Sequence, residues 1–140
     1  MGPKLNEQVC YALYSTSRAI TQAYKPLLDP LNLTYPQYVV MMALWDNGAV
    51  KITDIAEKTG ITNATLSPLL KRLEATGYVE RRLEENDERQ KQIILTKSGK
   101  ALGKKAQKAA EQALCATGLS TKDVEKLFKL CANIKQNLAD

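Results

Sequence analysis

The stretch TDIAEKTGITNATLSPLLKRLEATGYVERR, residues 53–82, contains two short helical patterns separated by a tight turn. Thr53 is placed to cap the first helix, TDIAEK, and Gly60 is placed to end it. Thr62 is placed to cap the second helix, which runs until Gly77. The order helix, tight turn, helix is that of a helix-turn-helix unit.

The second of these helices has an apolar stripe and an opposite polar side. The stripe consists of Leu66, Leu69, Leu70 and Leu73. The polar side shows Asn63, Thr65, Ser67, Lys71 and Arg72. An interior proline removes one helical hydrogen bond, so we expect an irregularity at Pro68.

Two β-type segments follow the helix pair. Two segments, YVERRLEE (residues 78–85) and KQIILT (residues 91–96), are rich in β-branched and aromatic residues. They flank the polar tip NDERQ. They predict an antiparallel hairpin, and the glutamates in the first strand leave its length open. A helix-turn-helix followed by a hairpin is the order of a winged helix-turn-helix.

Longer helical patterns surround this unit. The first runs from Asn6, as its N-cap, to about Leu28, and the second runs from Thr34-Tyr35-Pro36 to Asn47-Gly48. An alanine-rich helix follows Thr96 and continues to about Ala116. Ser120 and Asp123 then form a capping pair for a last helix with an apolar side. The fold class predicted is mainly α with a small β-hairpin, with terminal helices available for dimerisation.

Composition excludes several classes of protein. The chain of 140 residues has no histidine, which removes Ser-His-Asp and Cys-His catalysis and the commonest metal ligand. Its three cysteines match neither a disulfide framework nor a zinc pattern. No apolar run is long enough to span a bilayer, so we expect a cytoplasmic protein with no membrane partner. Neither a cofactor nor a metal is expected, and we do not expect an enzyme.

The positive charge is concentrated in the middle of the chain and suggests an acidic partner. The segment from Lys51 to Lys105 has 12 basic and 8 acidic side chains, which is +4 of the total of +5. In a winged helix-turn-helix, the second helix enters the major groove with its N-terminal residues. The candidates for base contacts are Asn63, Ala64, Thr65 and Ser67, and the candidates for phosphate contacts are Lys71 and Arg72.

The hairpin tip offers a second contact with DNA. Arg89 is a candidate for the minor groove, whose negative potential attracts guanidinium groups, and Asp87 could orient it. The acidic residues of the tip disfavour a general polyanion binder. From spacing alone a different role stays open, because capped helix pairs occur in many folds.

Several phrases of the sequence resemble the MarR family of dimeric regulators. The wing phrase DERQKQIILT followed by TKSGKAL carries the resemblance to the whole family. The phrases QVCYALYSTSR, YKPLL, LNLTYPQYVVMMALW and ATLSPLLKRLEATGYVERR are similar to the organic-hydroperoxide-sensing OhrR group, in its two-cysteine type. The resemblance covers nearly all of residues 1–140 and implies one MarR-type winged helix domain. It has a DNA-binding lobe at about 50–97 and helical dimerisation regions at about 5–47 and 98–140.

This resemblance implies a redox site around Cys10. Peroxides are attacked by the thiolate, which the N-terminal end of a helix and phenolic hydroxyl donors both favour. Tyr14 is one turn away, and the resemblance implies that Tyr24 and Tyr35 meet the cysteine near the dimer interface, with one hydroxyl contributed across subunits. Without the resemblance, the sequence favours a different interpretation, in which Cys10 is a small buried hydrophobic residue.

The resemblance also implies a second cysteine that captures oxidised Cys10 as an intersubunit disulfide. Cys115 lies near a helix end at the corresponding distance, whereas Cys131 lies on the apolar side of the last helix. We assign the resolving role to Cys115 of the other subunit, and Cys131 stays open as the partner or as a bystander.

The function predicted is a homodimeric repressor that binds palindromic double-stranded operator DNA and is released by organic hydroperoxides. Two alternatives remain at this point. One is a MarR-type repressor released by a non-covalent aromatic ligand, in which the cysteines serve only in packing. The other, ranked last, is a thiol peroxidase that carries a helix-turn-helix-like core.

Overall fold

The computed structural model describes the backbone of residues 1–84 and 87–139 and the side chains of residues 1–83 and 92–139. The described residues form six α-helices and a three-stranded antiparallel sheet. The helices are α1 (Val9–Leu28), α2 (Tyr35–Asn47), α3 (Ile52–Thr59), α4 (Asn63–Thr76), α5 (Lys97–Ala116) and α6 (Thr121–Leu138). The strands are β1 (Val50–Lys51), β2 (Val79–Glu84) and β3 (Asp87–Leu95). The predicted fold class, mainly α with a winged helix-turn-helix, is confirmed.

Local capping explains where most helices begin and end. Thr34 caps α2 in a reciprocal arrangement with Gln37, and Ser120 caps α6 in the same way with Asp123. Thr62 caps α4, and Gly77 ends it with a φ of 89°. These four ends lie where the sequence predicts them, because each depends on residues at most three positions apart.

Two predicted caps are wrong. Asn6 lies inside a short 3-10 turn, Leu5–Glu7, and α1 begins after Gln8. Thr53 lies inside α3, which begins at Ile52 because the Asp54 carboxylate accepts a hydrogen bond from the backbone N–H of Lys51 at 3.3 Å. The chain leaves the sheet at this point.

Helix α4 is continuous through Pro68. Three leucines of its predicted stripe, Leu66, Leu70 and Leu73, are fully buried, and Leu69 is half-buried. Burial of this stripe holds the helix against the core, so the expected irregularity at Pro68 does not interrupt it.

The sheet has the strand order β1-β3-β2. Strand β1 pairs Val50 with Ile93, which the sequence does not predict because two residues show no periodicity. Strand β3 begins at Asp87, so residues 87–90 of the predicted tip lie in the strand. Polar residues can extend a strand because ladder hydrogen bonds join backbones and require no apolar side chain.

The buried core lies between α2, α3, α4, the sheet and the first half of α5. Its fully buried members include Val40, Met41, Leu44, Ile55, Leu66, Leu70, Leu73, Val79 and Ile93. Helix α6 differs, since no described residue of α6 is buried. The division into a DNA-binding lobe at about 50–97 and helical regions on either side stays a prediction.

Candidate nucleic-acid interface and thiol site

Helix α4 presents a polar first turn to solvent. The Thr62 hydroxyl accepts a hydrogen bond from the backbone N–H of Thr65 at 3.3 Å and donates one to Thr65 Oγ1 at 3.1 Å. Asn63, Ala64 and Thr65 are exposed, and Ser67 is half-buried. A capped helix end with short polar side chains is able to approach base edges closely.

The two cations of α4 point in different directions. Both Lys71 and Arg72 are exposed, and adjacent helical residues are rotated by about 100°. Arg72 lines a polar cleft of about 400 Å³ together with Asp29, Asn32 and Thr34. Arg72 therefore lies towards the start of α2, and Lys71 lies on the outer side of α4.

The predicted contacts of the wing lie partly outside the described residues. The backbone of Asp87 and Arg89 belongs to β3, but their side chains are outside the described part, so the expected pairing of Asp87 with Arg89 stays a prediction. On β2, the Arg82 guanidinium pairs with the Glu80 carboxylate at 3.1 Å. Both groups are exposed, so the pair contributes little to stability.

Arg81 is a functional candidate that the sequence did not single out. Its side chain is 19% exposed, and its Nε lies 3.8 Å from Glu74 Oε2 at the end of α4. Among the described residues, Arg81 Nε and Nη2 have no hydrogen-bond partner. Because side chains alternate along a strand, Arg81 lies on the same face of β2 as buried Val79. This alternation is the feature of the sequence that could have indicated its partial burial. Arg81 thus links strand β2 to the end of α4.

Cys10 is the second residue of α1, and its thiol is exposed and free. The N-cap residue Gln8 makes no side-chain hydrogen bond to this helix end, and the first turn contains no acidic residue. The unpaired backbone N–H groups of this helix end leave partial positive charge near the sulfur. Cys10 is therefore not buried within its own chain, and the alternative of a small apolar residue covered by a second subunit stays open.

Tyr14 and Arg18 follow Cys10 along α1. Tyr14 lies one turn after Cys10 and is exposed. The Arg18 guanidinium lies 5.7 Å from the centroid of the Tyr14 ring, a distance typical of a cation–π contact. The positive charge of Arg18 near the phenol is a feature that the sequence analysis missed.

Tyr24 and Tyr35 form an aromatic cluster with Tyr38. The ring centroids are 5.4 Å apart for Tyr24 and Tyr35, 5.2 Å for Tyr24 and Tyr38, and 6.0 Å for Tyr35 and Tyr38. Burial, with a smaller contribution from Tyr24, raises the pKa of Tyr35. Burial and a hydrogen bond with Tyr24 raise the pKa of Tyr38. A tyrosine hydroxyl is protonated at neutral pH with or without such a shift, so Tyr35 and Tyr38 are able to donate hydrogen bonds.

A single chain does not bring Cys10 to this cluster. Tyr24 lies 14 positions after Cys10 on the same helix, and at about 1.5 Å per residue the two are about 21 Å apart along the axis. A meeting between Cys10 and Tyr24 therefore requires a second copy of the chain.

The other two cysteines occupy different environments. Cys115 is exposed in the last turn of α5, and Cys131 is half-buried on α6. Helix α5 packs against α1 near this end, around an apolar cavity lined by Ala19, Ala23 and Ala113. Access favours Cys115 as the thiol that reacts with a second subunit, and the choice between Cys115 and Cys131 stays a prediction.

The described residues contain neither a cluster of metal ligands nor a membrane-spanning helix. No group of three or more possible metal ligands lies together in that part of the chain. No helix there combines the length and the apolar character that crossing a membrane requires.

Comparisons with known proteins agree on one family. The MarR family profile matches residues 33–91. The organic hydroperoxide resistance transcriptional regulator of Bacillus subtilis (strain 168) is 44% identical over 103 residues, which are 74% of this chain and 70% of that protein. The HTH-type transcriptional regulator MgrA of Staphylococcus aureus is 31% identical and matches 93% of this chain and 89% of its own.

Solved structures support the same fold. The structure of reduced AbfR bound to DNA, from a protein of Staphylococcus epidermidis, has a TM-score of 0.77 and 30% identity, covering 96% of this chain and 94% of that chain.

Proposed function

The chain belongs to the MarR family of DNA-binding transcriptional regulators, and we propose that it is a homodimeric repressor switched by organic hydroperoxides. The observation that carries this proposal is the exposed thiol of Cys10 in the uncapped first turn of α1. Its support is the similarity to a regulator named for organic hydroperoxide resistance. The similar proteins are named as regulators of transcription, and we do not propose an enzymatic activity.

The proposed reaction has two steps. The Cys10 thiolate attacks one peroxide oxygen, the O–O bond breaks, and the products are a sulfenic acid and an alkoxide that takes up a proton to form an alcohol. The Cys115 thiol of the second subunit then attacks the sulfenic sulfur, forming a disulfide and releasing water. The hydroperoxide is reduced, and the two thiols supply its two electrons.

The tyrosine cluster gives the thiolate a place to bind. In the dimer, Tyr24 and Tyr35 of one subunit donate hydrogen bonds to Cys10 of the other, and Tyr14 adds a hydroxyl from the same helix. Tyr35 is protonated at neutral pH, as tyrosines ordinarily are, so its hydroxyl is able to donate. The apolar rings suit an organic hydroperoxide better than hydrogen peroxide.

The terminal helices supply the surface for dimerisation. Large apolar side chains on this surface are exposed in the single chain, namely Val9, Leu13, Leu114, Leu127, Phe128 and Leu138. An apolar surface of this extent marks an interaction site. A twofold dimer through α1, α5 and α6 covers it and presents two copies of α4 to a palindromic operator.

Each subunit contributes one recognition helix and one wing to the operator. Asn63, Ala64, Thr65 and Ser67 contact base edges, and Lys71 and Arg72 bind phosphates. Arg89, oriented by Asp87, enters the minor groove. Reduced protein represses, and the strain of disulfide formation rotates the lobes away from their half-sites.

A second candidate function rests on a cavity of about 660 Å³ beside α2 and α5. Tyr38, Met42 and Trp45 line its apolar part, and Lys100 and Lys104 lie at its edge. A solved structure of Bordetella bronchiseptica BpsR, described with regulation of DNA binding by 6-hydroxynicotinic acid, has a TM-score of 0.83 and 27% identity over 91% of this chain and 98% of its own. In this alternative, an aromatic anion bound in the cavity, and not oxidation of Cys10, causes release of the DNA.

One set of variants separates the two signals. We expect cumene hydroperoxide to produce a covalent dimer on a non-reducing gel, together with loss of DNA binding that a dithiol restores. The covalent dimer disappears in Cys10→Ser and Cys115→Ser and persists in the matched control Cys131→Ser. A Cys10→Ser protein that still releases DNA on addition of hydroperoxide contradicts the sensor, and release by an aromatic acid alone supports the alternative.

A further inference from the structure

Trp45 contacts the tyrosine cluster from the end of α2. It is the only tryptophan of the chain, and its ring centroid lies 6.3 Å from that of Tyr38. Tyr38 is 3% exposed and packs directly on Tyr24 and Tyr35. Tyr38 thus contacts Tyr24, Tyr35 and Trp45 at once, and a displacement of Tyr24 or Tyr35 can reach the indole through it.

The opposite side of the indole holds the first turns of α5. Trp45 Nε1 donates a hydrogen bond of 2.9 Å to the carbonyl oxygen of Gly99, 54 positions later in the chain. One turn further, a β-carbon at Gly103 would lie 3.5 Å from the same Nε1, which is ordinary contact. Trp45 therefore touches the tyrosine cluster and α5 at once.

Gly99 in turn lies against the short junction that follows α4, the proposed recognition helix. A β-carbon at Gly99 would overlap the carbonyl oxygen of Tyr78, so the two backbones are as close as the chain permits. The Thr96 hydroxyl donates a hydrogen bond of 2.6 Å to the carbonyl of Gly77, and its backbone N–H donates one of 3.1 Å to the carbonyl of Tyr78. Gly77 and Tyr78 are the two residues between α4 and β2.

We propose that Trp45 is the positioning residue that transmits the state of the tyrosine cluster to the recognition helix. The inference rests on the proposed function, in which this cluster receives Cys10 of the second subunit. Oxidation removes the thiolate that Tyr24 and Tyr35 hold, the rings repack, and Trp45 carries the displacement through Gly99 to the junction of α4 and β2.

A separate hydrogen bond provides a matched control. Tyr78 Oη donates a hydrogen bond of 2.8 Å to the carbonyl of Leu31. This bond also joins the α4–β2 junction to the helical region, and it makes no use of the tyrosine cluster. Trp45→Phe and Tyr78→Phe each delete one side-chain donor and keep an aromatic ring, but only Trp45→Phe interrupts the proposed connection.

The experiment compares the DNA affinity of each full-length dimer before and after cumene hydroperoxide. The probe is a labelled duplex selected from a random library by the reduced wild-type protein, and the readout is the ratio of the two dissociation constants at one salt concentration. Coupling between two sites commonly changes affinity about 5- to 150-fold. We expect Trp45→Phe to reduce the wild-type ratio about tenfold, with reduced-state affinity within about threefold of wild type and covalent dimer formation unchanged. Tyr78→Phe should keep the wild-type ratio.

Each other outcome overturns the proposal in a recognisable way. An unchanged ratio in Trp45→Phe, or an equal fall in Tyr78→Phe, removes the special role of Trp45 while the hydroperoxide sensor stands. A wild-type protein that does not respond to hydroperoxide refutes the proposed function and this inference together.

The emission of Trp45 gives a second readout if Trp45→Phe does not fold. In the wild-type dimer we expect hydroperoxide to shift the emission, and in Cys10→Ser we expect no shift. Constant emission in a wild-type protein that releases its DNA overturns the proposal.

Discussion

Helices α4 and α6 carry similar apolar stripes and end up in opposite environments. The stripe of α4 is buried inside its own chain, with Leu66, Leu70 and Leu73 inaccessible to solvent. On α6 no described residue is buried, and Phe128 is 68% exposed. A 3.6-residue period thus indicates that a helix has an apolar side, and it does not indicate whether the same chain or another one covers that side.

Replacing a leucine in the α4 stripe should have the largest effect on stability. Leu70→Ala removes a side chain that is 0% exposed, and we expect the free energy of unfolding to fall by about 2–5 kcal/mol. Chemical denaturation at several protein concentrations measures it. The loss should be the same at every concentration because the leucine packs within one chain. Leu69→Ala, at the half-buried neighbour, is the control and should cost clearly less.

Helix α5 packs against the α4–β2 junction, and one glycine decides how closely. Gly99→Ala places a methyl group onto the Tyr78 carbonyl, and we expect a loss of about 3 kcal/mol in the free energy of unfolding. Gly103→Ala, one turn later, meets only ordinary contacts and should gain about 0.5 kcal/mol from helix propensity. Thermal unfolding of both variants measures the difference, and equal melting temperatures would contradict the close approach.

On α6, a substitution in the apolar stripe should act on association. Phe128→Ala should raise the dissociation constant of the dimer about 10- to 30-fold, because large aromatic side chains commonly dominate interfaces. Sedimentation analysis measures it, with Lys129→Ala as the neighbouring exposed control. A dimer of unchanged affinity would place the interface away from α6 and weaken the contrast with α4.

Removing a helix cap should have the smallest effect on stability, and the caps of α4 and α6 can be compared directly. Thr62→Ala removes the cap of α4 and should cost about 1 kcal/mol in the unfolding of the chain. Ser120→Ala removes the cap of α6, where the same loss should appear mainly as weaker dimerisation. The conservative variants Thr62→Ser and Ser120→Thr should restore most of each loss. The comparison fails if the stability loss of Thr62→Ala depends on protein concentration, or if that of Ser120→Ala does not.

The helices and strands of the fold could be predicted from the sequence more fully than the contacts between them. Caps such as Thr62 and Ser120 were found because capping joins residues three positions apart. The caps assigned to Asn6 and Thr53 were wrong, since a 3-10 turn and the pairing of β1 with β3 shift those helix starts. Strand β1 itself was missed because its partner Ile93 is 43 positions away from Val50.

The members of the candidate site stay a prediction, and the structure adds contacts between elements that the sequence did not indicate. Tyr24 and Tyr35 were expected to meet Cys10 near the dimer interface; within one chain they pack against Tyr38, and Tyr24 lies about 21 Å along α1 from the thiol, so the meeting stays a prediction about the dimer. Arg81 and Trp45 were not assigned any role, because their partners Glu74 and Gly99 lie on other elements. Periodicity along one helix or strand carries no information about such partners.

The sequence by itself determined the order of the six helices and the hairpin, both ends of α2 and α4, the start of α6, and the family to which the chain belongs. These features depend on hydrogen bonds and apolar spacing within a few residues, which a single chain segment already contains. Only the tertiary structure decided that the α4 stripe is buried and the α6 stripe is not, and that Trp45 joins the tyrosine cluster to α5. Those outcomes depend on which distant surfaces fill the same space, and close packing is a property of the folded chain as a whole.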